Sequence, residues 1–118
     1  MKSNFVFGRD RNFIGCSGSR RLDSLDRVLR SLAPLDMDTV SASVRKTRRA
    51  VVVHEAPTFM GMGAEIAARL MHDLFDTLAA PVERVGSATV PYPPARYEKL
   101  FLPDADRILE AVDRTREY

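Results

Sequence analysis

The chain has 118 residues, of which 45% are hydrophobic and 29% charged, a composition that fits one globular domain with a real core. No apolar run approaches the roughly 20 residues of a membrane-spanning helix, and the first residues lack the apolar stretch of a secretory signal. We therefore expect a cytoplasmic protein without a membrane anchor. The single cysteine, Cys16, excludes an internal disulfide and any zinc site built on paired cysteines.

The net charge of +2 combines two halves of opposite character. Residues 1–49 carry eleven Lys and Arg against five Asp, whereas residues 50–118 carry seven Lys and Arg against eleven acidic residues. The basic half suggests a nucleic-acid-binding module, and residues 9–49 are kept as that alternative. This half lacks the interleaved aromatics of a stacking platform, so a solvated face or a surface for an acidic partner is the favoured interpretation.

Residues 1–31 form an atypical basic segment, for which we expect partial disorder or a helix. The stretches NFVF (4–7) and NFIG (12–15) are candidate short strands between polar and glycine-bearing breaks. From Asp23 onward the apolar residues fall at helical spacing, which predicts a helix that ends before Pro34. The apolar face of this helix would comprise Leu25, Val28, Leu29 and Leu32.

A second helix is predicted over residues 35–47, with Asp36 as its N-cap and Val40 and Val44 on its apolar face. The unbroken apolar run AVVVH (50–54) is typical of a strand that is covered on both faces. These two elements would supply the first layer and the centre of the sheet.

Residues 63–78 show the clearest helical pattern in the chain, and residues 81–86 read as a short strand. A strand, helix and strand of these lengths predict a crossover between two parallel strands. After a proline-rich stretch at 89–103, expected to be extended or turned, a last helix begins near Asp104. The inward faces of the two helices would comprise Ile66, Leu70, Leu74 and Leu78, and Ile108, Leu109 and Val112.

His54 and Glu55 lie at the expected carboxyl end of the central strand, where open α/β sheets bind their ligands. The pair is therefore a candidate acid–base site of a small enzyme. A structural role is the alternative, in which Glu55 and the turn hydrogen-bond backbone groups and His54 is partly buried. We favour the structural role, because a His beside a carboxylate is common without chemistry. His72, in the long helix, is expected to be solvated.

The loop before the long helix contains two glycines, Gly61 and Gly63, and such a loop can cradle a phosphate. The pattern is only G-x-G, so we favour a turn that permits close packing or a subunit contact. Phe59, Met60 and Met62 make the same loop unusually apolar, which fits an interface better than a catalytic pocket.

Four stretches of the chain together resemble a known family. In order they are LRSLAPLDMDTV, RAVVVHEAP with GAEIAARL, LAAPVERV, and VPYPP followed by LFLPDADRILEAV. They are similar to the C-terminal domain of the β subunit of thiamine-dependent 2-oxo acid dehydrogenases, the first component of the pyruvate and branched-chain (2-oxoisovalerate) complexes. The resemblance covers residues 32–118, and the HEAP sequence favours the branched-chain members. Residues 1–31 do not match, since the family's usual apolar strands are not recognisable there.

The resemblance implies an α/β fold like the transketolase C-terminal domain, a three-layer α/β/α sandwich around a mostly parallel sheet. With the N-terminal strands shortened, we expect two or three strands. It also implies an assembly domain that is not catalytic alone and binds no cofactor or metal. In the family, thiamine diphosphate and magnesium are bound elsewhere. The implied partners are a second copy, the α subunit and the acyltransferase.

The resemblance further implies a docking surface for the small subunit-binding domain of the acyltransferase. Relatives usually carry an acid where Ala79 stands and a further glycine where Met60 stands. Asp76, one turn before Ala79, and the carboxylate of the terminal Tyr118 are then the candidate anions for pairing with arginine. The alternative for Asp76 is a solvated helix residue.

Overall fold

The computed structural model describes residues 4–8, 24–29 and 31–118. The strands are β1 (Asn4–Gly8), β2 (Ser24–Val28), β3 (Ala50–Pro57) and β4 (Glu83–Ser87). The helices are α1 (Met37–Thr47), α2 (Met62–Leu74), α3 (Glu98–Phe101) and α4 (Ala105–Arg114), with a short 3-10 helix at Ala95–Tyr97. The candidate strand NFIG and Cys16 lie outside the described residues.

The strands form one mixed sheet in the order β2-β1-β3-β4. β3 and β4 are parallel and are connected through α2, as the strand–helix–strand pattern predicts. β1 is a strand, as its apolar residues suggested, and runs antiparallel to both β2 and β3. The α/β class is confirmed. The sheet differs from the expected mostly parallel sheet of two or three strands, because the chain before α1 adds two strands with antiparallel pairing.

The helix predicted from Asp23 is wrong over residues 24–28, which form the strand β2. Its backbone pairs with β1, with Ser24 opposite Gly8 and Val28 opposite Asn4. Helical spacing of apolar residues is a local signal, whereas this ladder of hydrogen bonds joins segments that are distant in sequence. Tertiary pairing therefore overrides the local periodicity. Leu32 and Leu35 form an isolated bridge around Pro34, where a helix was expected to have ended.

The strand β3 is buried on both faces, and its alternating side chains divide the core into two clusters. Ala50 and Val52 pack against α1 and α2 in a cluster with Val40, Val44, Ile66, Leu70 and Leu74. Val51 and Val53 pack on the other face in a cluster with Val85, Ala111 and Val112. Helices therefore cover both sides of the sheet, and the expected three-layer sandwich is observed.

The helix α1 begins as predicted. The backbone N–H of Thr39 donates to Oδ1 of the N-cap Asp36 at 3.0 Å, and the hydrogen bonding from Thr39 lowers the pKa of the Asp36 carboxyl. The helix ends at Arg48, which adopts a left-handed conformation with φ of 61°. Its backbone N–H donates to the carbonyl of Val44 at 2.7 Å, which satisfies a carbonyl in the last turn.

The helix α2 has the predicted phase but ends four residues earlier than predicted. Ile66, Leu70 and Leu74 are fully buried, whereas Leu78 lies beyond the helix and is half-buried. The N–H groups of Thr77 and Leu78 still donate to the carbonyl of Leu74 at 2.9 Å, and the N–H of Ala79 then donates to the carbonyl of Arg48 at 2.8 Å, just before β3.

The proline-rich stretch is turned, as predicted, but it also contains the 3-10 helix and α3. Tyr92 packs edge-on against the buried Phe101, with ring centroids 5.1 Å apart. The helix α4 begins after Asp104, whose Oδ1 accepts from the N–H of Arg107 at 2.9 Å. Within the described part of the chain, no helix is long and apolar enough to cross a bilayer.

Candidate functional site at the carboxyl end of the central strand

The parallel strands β3 and β4 end close together, and α2 begins above them after the loop of residues 58–61. His54 is in the last half of β3, Gly61 is the N-cap of α2, and Gly63 lies in its first turn. The pairing of β3 with β4 shifts register between Val53 and Pro57, so the strand is irregular where His54 stands. The fold therefore brings His54, Gly61 and Gly63 together at the carboxyl end of β3.

The imidazole of His54 is enclosed by three glycines, and only 4% of the residue is exposed. A Cβ on Gly63 would lie 2.6 Å from Cδ2 of the ring, and a Cβ on Gly61 would lie 2.7 Å from Cε1. A Cβ on Gly86, in β4, would lie 3.1 Å from Cε1. The ring is the first obstacle only at Gly63, whereas a Cβ on Gly61 would first meet the carbonyl oxygen of Pro57, and one on Gly86 would first meet the carbonyl oxygen of Ala56 at 2.7 Å. We call His54, Gly61, Gly63 and Gly86 the imidazole cage.

Neither ring nitrogen of His54 has a hydrogen-bond partner among the described residues. Burial lowers the pKa of the imidazole, and the positive charge of Arg84 acts in the same direction. The backbone of Ala56 partly opposes this shift of the pKa, although it does not meet the geometry of a hydrogen bond to the ring. The ring is therefore neutral at pH 7, without the orienting partner that a general base normally has.

Glu55 does not pair with His54. Its backbone carbonyl accepts from the hydroxyl of Ser87 at 2.6 Å, which links the ends of β3 and β4. The Glu55 carboxylate instead acts on Tyr92. The pKa of that phenol is raised mainly by its hydrogen bond to Glu98 and to a smaller extent by the charge of Glu55. The two candidate catalytic residues are neighbours in sequence that face different surroundings.

The arrangement does not fit a phosphate or the diphosphate of thiamine. The imidazole ring lies beside Gly61 and Gly63, so the space next to these glycines is not open to an anion. Within the described residues there is also no group of three or more His, Cys, Asp or Glu that could hold a metal ion. His72 is 88% exposed at its side chain and contacts the carboxylate of Asp73 at 3.0 Å, as expected for a solvated residue.

The apolar side chains of the loop point to solvent. Phe59 is 68% exposed, Met60 is 85% exposed, and Met62 is also exposed. Met60 adopts a left-handed conformation with φ of 55°, which strains a residue that carries a Cβ. Glycine adopts this conformation without that strain. We call Phe59, Met60 and Met62 the apolar loop patch.

Asp76 and Tyr118 lie at the opposite end of the sheet. Arg48 donates from Nε to the carbonyl of Thr77 at 3.0 Å, next to Asp76. Arg49 donates from Nε to the carbonyl of Thr115 at 2.6 Å, three residues before Tyr118. Asp76 and Tyr118 are both exposed, and both are carried by segments that are tied to the start of β3. The predicted interface residues therefore form two groups at opposite ends of the molecule.

Sequence reasoning did not single out three residues that support the imidazole cage. Arg84 donates to the carbonyl of Thr58 at 3.2 Å and holds the loop, and Arg107 of α4 donates to the carbonyl of Gly86 at 2.7 Å. Gly86 itself ends the run VERVG, and a glycine within a strand pattern is a known sign of close approach by another group. That signal could have identified it.

The fold and site define an α/β sandwich with a glycine-lined strand end and no assembled catalytic group among the described residues. A family model for the transketolase C-terminal domain matches residues 28–108, which is more than half of the chain. The chain belongs to this family. The fold expected from the sequence is thereby confirmed. The match to the family model begins at Val28, the last residue of β2.

The curated relatives are β subunits of 2-oxo acid dehydrogenases. The 3-methyl-2-oxobutanoate dehydrogenase subunit beta of Mycobacterium tuberculosis is 55% identical over 86 residues, which cover 73% of this chain and 25% of the relative. The pyruvate dehydrogenase E1 component subunit beta of Leifsonia xyli is 50% identical over 105 residues, covering 89% of this chain and 31% of the relative. The chain thus spans between a quarter and a third of these relatives.

The alignment with the Leifsonia xyli protein also reaches into the segment before residue 32. Residues 32–118 number 87, so a match of 105 residues includes at least 18 residues that precede them. This fits the pairing of β1 and β2 with the rest of the sheet. The division of the chain at residues 31 and 32 remains a prediction.

Proposed function

We propose that this chain acts as the C-terminal assembly domain of the β subunit of a 2-oxo acid dehydrogenase, in the cytoplasm and within a multienzyme complex. The observation that carries the proposal is the family match over residues 28–108, together with relatives that are named as β subunits. The substrate of the complete enzyme is a 2-oxo acid, such as pyruvate or a branched-chain 2-oxo acid.

The geometry of the strand end supports a role in assembly rather than chemistry. The buried imidazole of His54 has no hydrogen-bond partner in the part of the chain that the structure describes, and so it forms no hydrogen bond with Glu55. The imidazole ring takes up the space beside Gly63, and we assign thiamine diphosphate and magnesium to another part of the complete enzyme. A small enzyme built on His54 and Glu55 would need a paired base and a space for substrate beside it. Within residues 24–29 and 31–49, which are the described part of the basic half, no specific geometry favours nucleic-acid binding.

Two surfaces are available for the proposed contacts. The apolar loop patch is exposed and clustered at one end, which suits a second copy of the chain or the α subunit. Asp76 and the carboxylate of Tyr118 lie at the other end and suit a basic module such as the subunit-binding domain of the acyltransferase. The first contact would be insensitive to salt, and the second would weaken as salt rises.

Sedimentation of the full chain, alone and with a purified α subunit, tests this proposal. We expect association that Met60→Ser weakens by roughly tenfold or more, because an apolar side chain is lost from the centre of the patch. Leu100→Ser is the matched control, since Leu100 is 83% exposed but lies in α3, away from the loop. A monomer at high concentration that ignores the α subunit, or equal weakening by both variants, would contradict the proposal.

A further inference from the structure

The imidazole cage joins three separate segments through one side chain. The ring of His54 contacts the loop at Gly61, the first turn of α2 at Gly63 and the strand β4 at Gly86. The loop that it supports carries the exposed Phe59 and the strained Met60. The position of the loop therefore depends on a titratable group that is buried.

Two arginines and a helix end lie on the elements around the ring. Arg84 of β4 holds the carbonyl of Thr58 and lowers the pKa of His54 through its charge. Arg107 of α4 reaches the carbonyl of Gly86, which forms one wall of the cage. The amino end of α2 adds the positive end of the helix dipole. A positive charge on the imidazole is therefore disfavoured first by burial and then by Arg84, and only the backbone of Ala56 acts in the opposite direction.

The acidic residues on the surrounding elements do not compensate. Glu65 of α2 is paired with Arg69 at 2.7 Å and is exposed, and Glu83 of β4 is paired with Arg114 at 3.0 Å. Glu55 of β3 follows His54 directly, but the ring forms no hydrogen bond with it. An imidazolium inside the cage would be both desolvated and unpaired.

We propose that His54 is an acid-sensitive latch, which keeps the loop of residues 58–63 ordered while the ring is neutral and releases it when the ring is protonated. The latch goes beyond the proposed assembly role, because it concerns the chain alone and requires no partner. Because burial lowers the pKa of the folded imidazole, the proton binds better when the loop is open. The closed form is fully stabilised above the pKa of the open form and loses stability as the pH falls below it.

The size of the effect follows from linkage. An accessible histidine has a pKa of about 6.5, so the opening constant rises as the pH falls below that value, by at most roughly tenfold for each pH unit. The rise continues until the ring of the closed form is itself protonated, so at pH 5 opening is more populated than at pH 8 by at most roughly 30-fold. The apolar loop patch would lose its fixed arrangement in the same range.

The chain offers an internal control, because it contains only two histidines and His72 is exposed in α2. Nuclear magnetic resonance of the full chain from pH 8 to pH 5 would follow both rings, together with hydrogen exchange of the backbone amides of residues 58–63. The exchange rates are corrected for their intrinsic dependence on pH. We expect His54 to remain neutral until these amides open, and His72→Gln to leave the behaviour unchanged. In His54→Leu, opening should not depend on pH.

Two results would overturn the latch. The first is protonation of the His54 ring near pH 6.5 while residues 58–63 keep their protection. The second is the same acid-induced opening in His54→Leu as in the unchanged chain. If His54→Leu does not fold, the ring titration in the unchanged chain and in His72→Gln decides the question alone.

Discussion

At the amino end of β3, two arginines tie the strand to the ends of α2 and α4, whereas at its carboxyl end a buried imidazole packs among glycines without a hydrogen-bond partner in the described part of the chain. Arg48 and Arg49 each donate a charged hydrogen bond to a carbonyl, of Thr77 and Thr115 respectively. The guanidinium group stays charged at every accessible pH. The amino end is therefore insensitive to acid, and the carboxyl end is sensitive.

The difference also concerns how each end tolerates substitution. A hydrogen bond from a long side chain can be lost with local fraying, because water replaces it at a partly exposed site. Close packing around a buried ring leaves no such replacement, since the glycines of the imidazole cage have no free space. We expect the carboxyl end to be the more sensitive one, and three substitutions test this expectation.

The largest effect is expected for Gly63→Ala. The added Cβ would lie 2.6 Å from Cδ2 of the His54 ring, and overpacking of this kind costs about 1–3 kcal/mol of unfolding free energy. Denaturant unfolding measures the loss. The double variant with His54→Ala is the control, because a smaller side chain makes room for the Cβ and the cost of Gly63→Ala should shrink. An equal cost in both backgrounds would show that the ring does not set the limit.

An intermediate effect is expected for Arg49→Met, which keeps the apolar stem and removes the hydrogen bond to Thr115. We expect a loss of about 1 kcal/mol, because the site is partly exposed. Hydrogen exchange should show the last turn of α4 opening first. Arg45→Met is the matched control in the exposed last turn of α1, and it should change stability by less than about 0.5 kcal/mol. If both variants lost the same stability, the hydrogen bond from Arg49 to Thr115 would contribute no more than an exposed surface arginine.

The smallest effect, and one of opposite sign, is expected for Met60→Gly. A left-handed conformation costs a residue with a Cβ about 1–2 kcal/mol, and glycine would relieve this strain. The greater backbone entropy that glycine loses on folding offsets about 0.5–1 kcal/mol of the relief. We therefore expect stabilisation by about 0.5 kcal/mol in thermal unfolding, from the balance of strain and entropy. Met60→Ala keeps the Cβ and should not stabilise. If both variants change the stability equally, removal of the exposed thioether rather than relief of backbone strain explains the change.

Elements with a local signal were predictable from the sequence. Asp36 and Asp104 cap their helices with a short side chain that bonds a nearby N–H, which any sequence reader can anticipate. The unbroken apolar run of β3 predicts that this strand is buried on both faces. In each case the information lies within a few neighbouring residues.

Features that depend on distant partners were not predictable. The strand β2 exists because β1 pairs with it, although its own spacing favours a helix. After α2 ends at Leu74, the N–H of Ala79 donates to the carbonyl of Arg48, thirty-one residues earlier in the chain, a contact that local spacing does not reveal. The imidazole cage draws its glycines from the loop, α2 and β4. The sequence showed Gly61 and Gly63 as a turn, but only the fold shows that His54 fills the space they leave.

The hydrogen bond from Arg107 to Gly86 has a consequence for the outer side of the sheet. β4 has a single neighbour in the described sheet, so it forms one of its margins. Open margins recruit foreign strands by offering free carbonyl and amide groups. Here a guanidinium from α4 already occupies the Gly86 carbonyl, at 2.7 Å. An intruding strand would have to displace the guanidinium of Arg107 before it could bond to this carbonyl, so we expect strand addition to be disfavoured at Gly86.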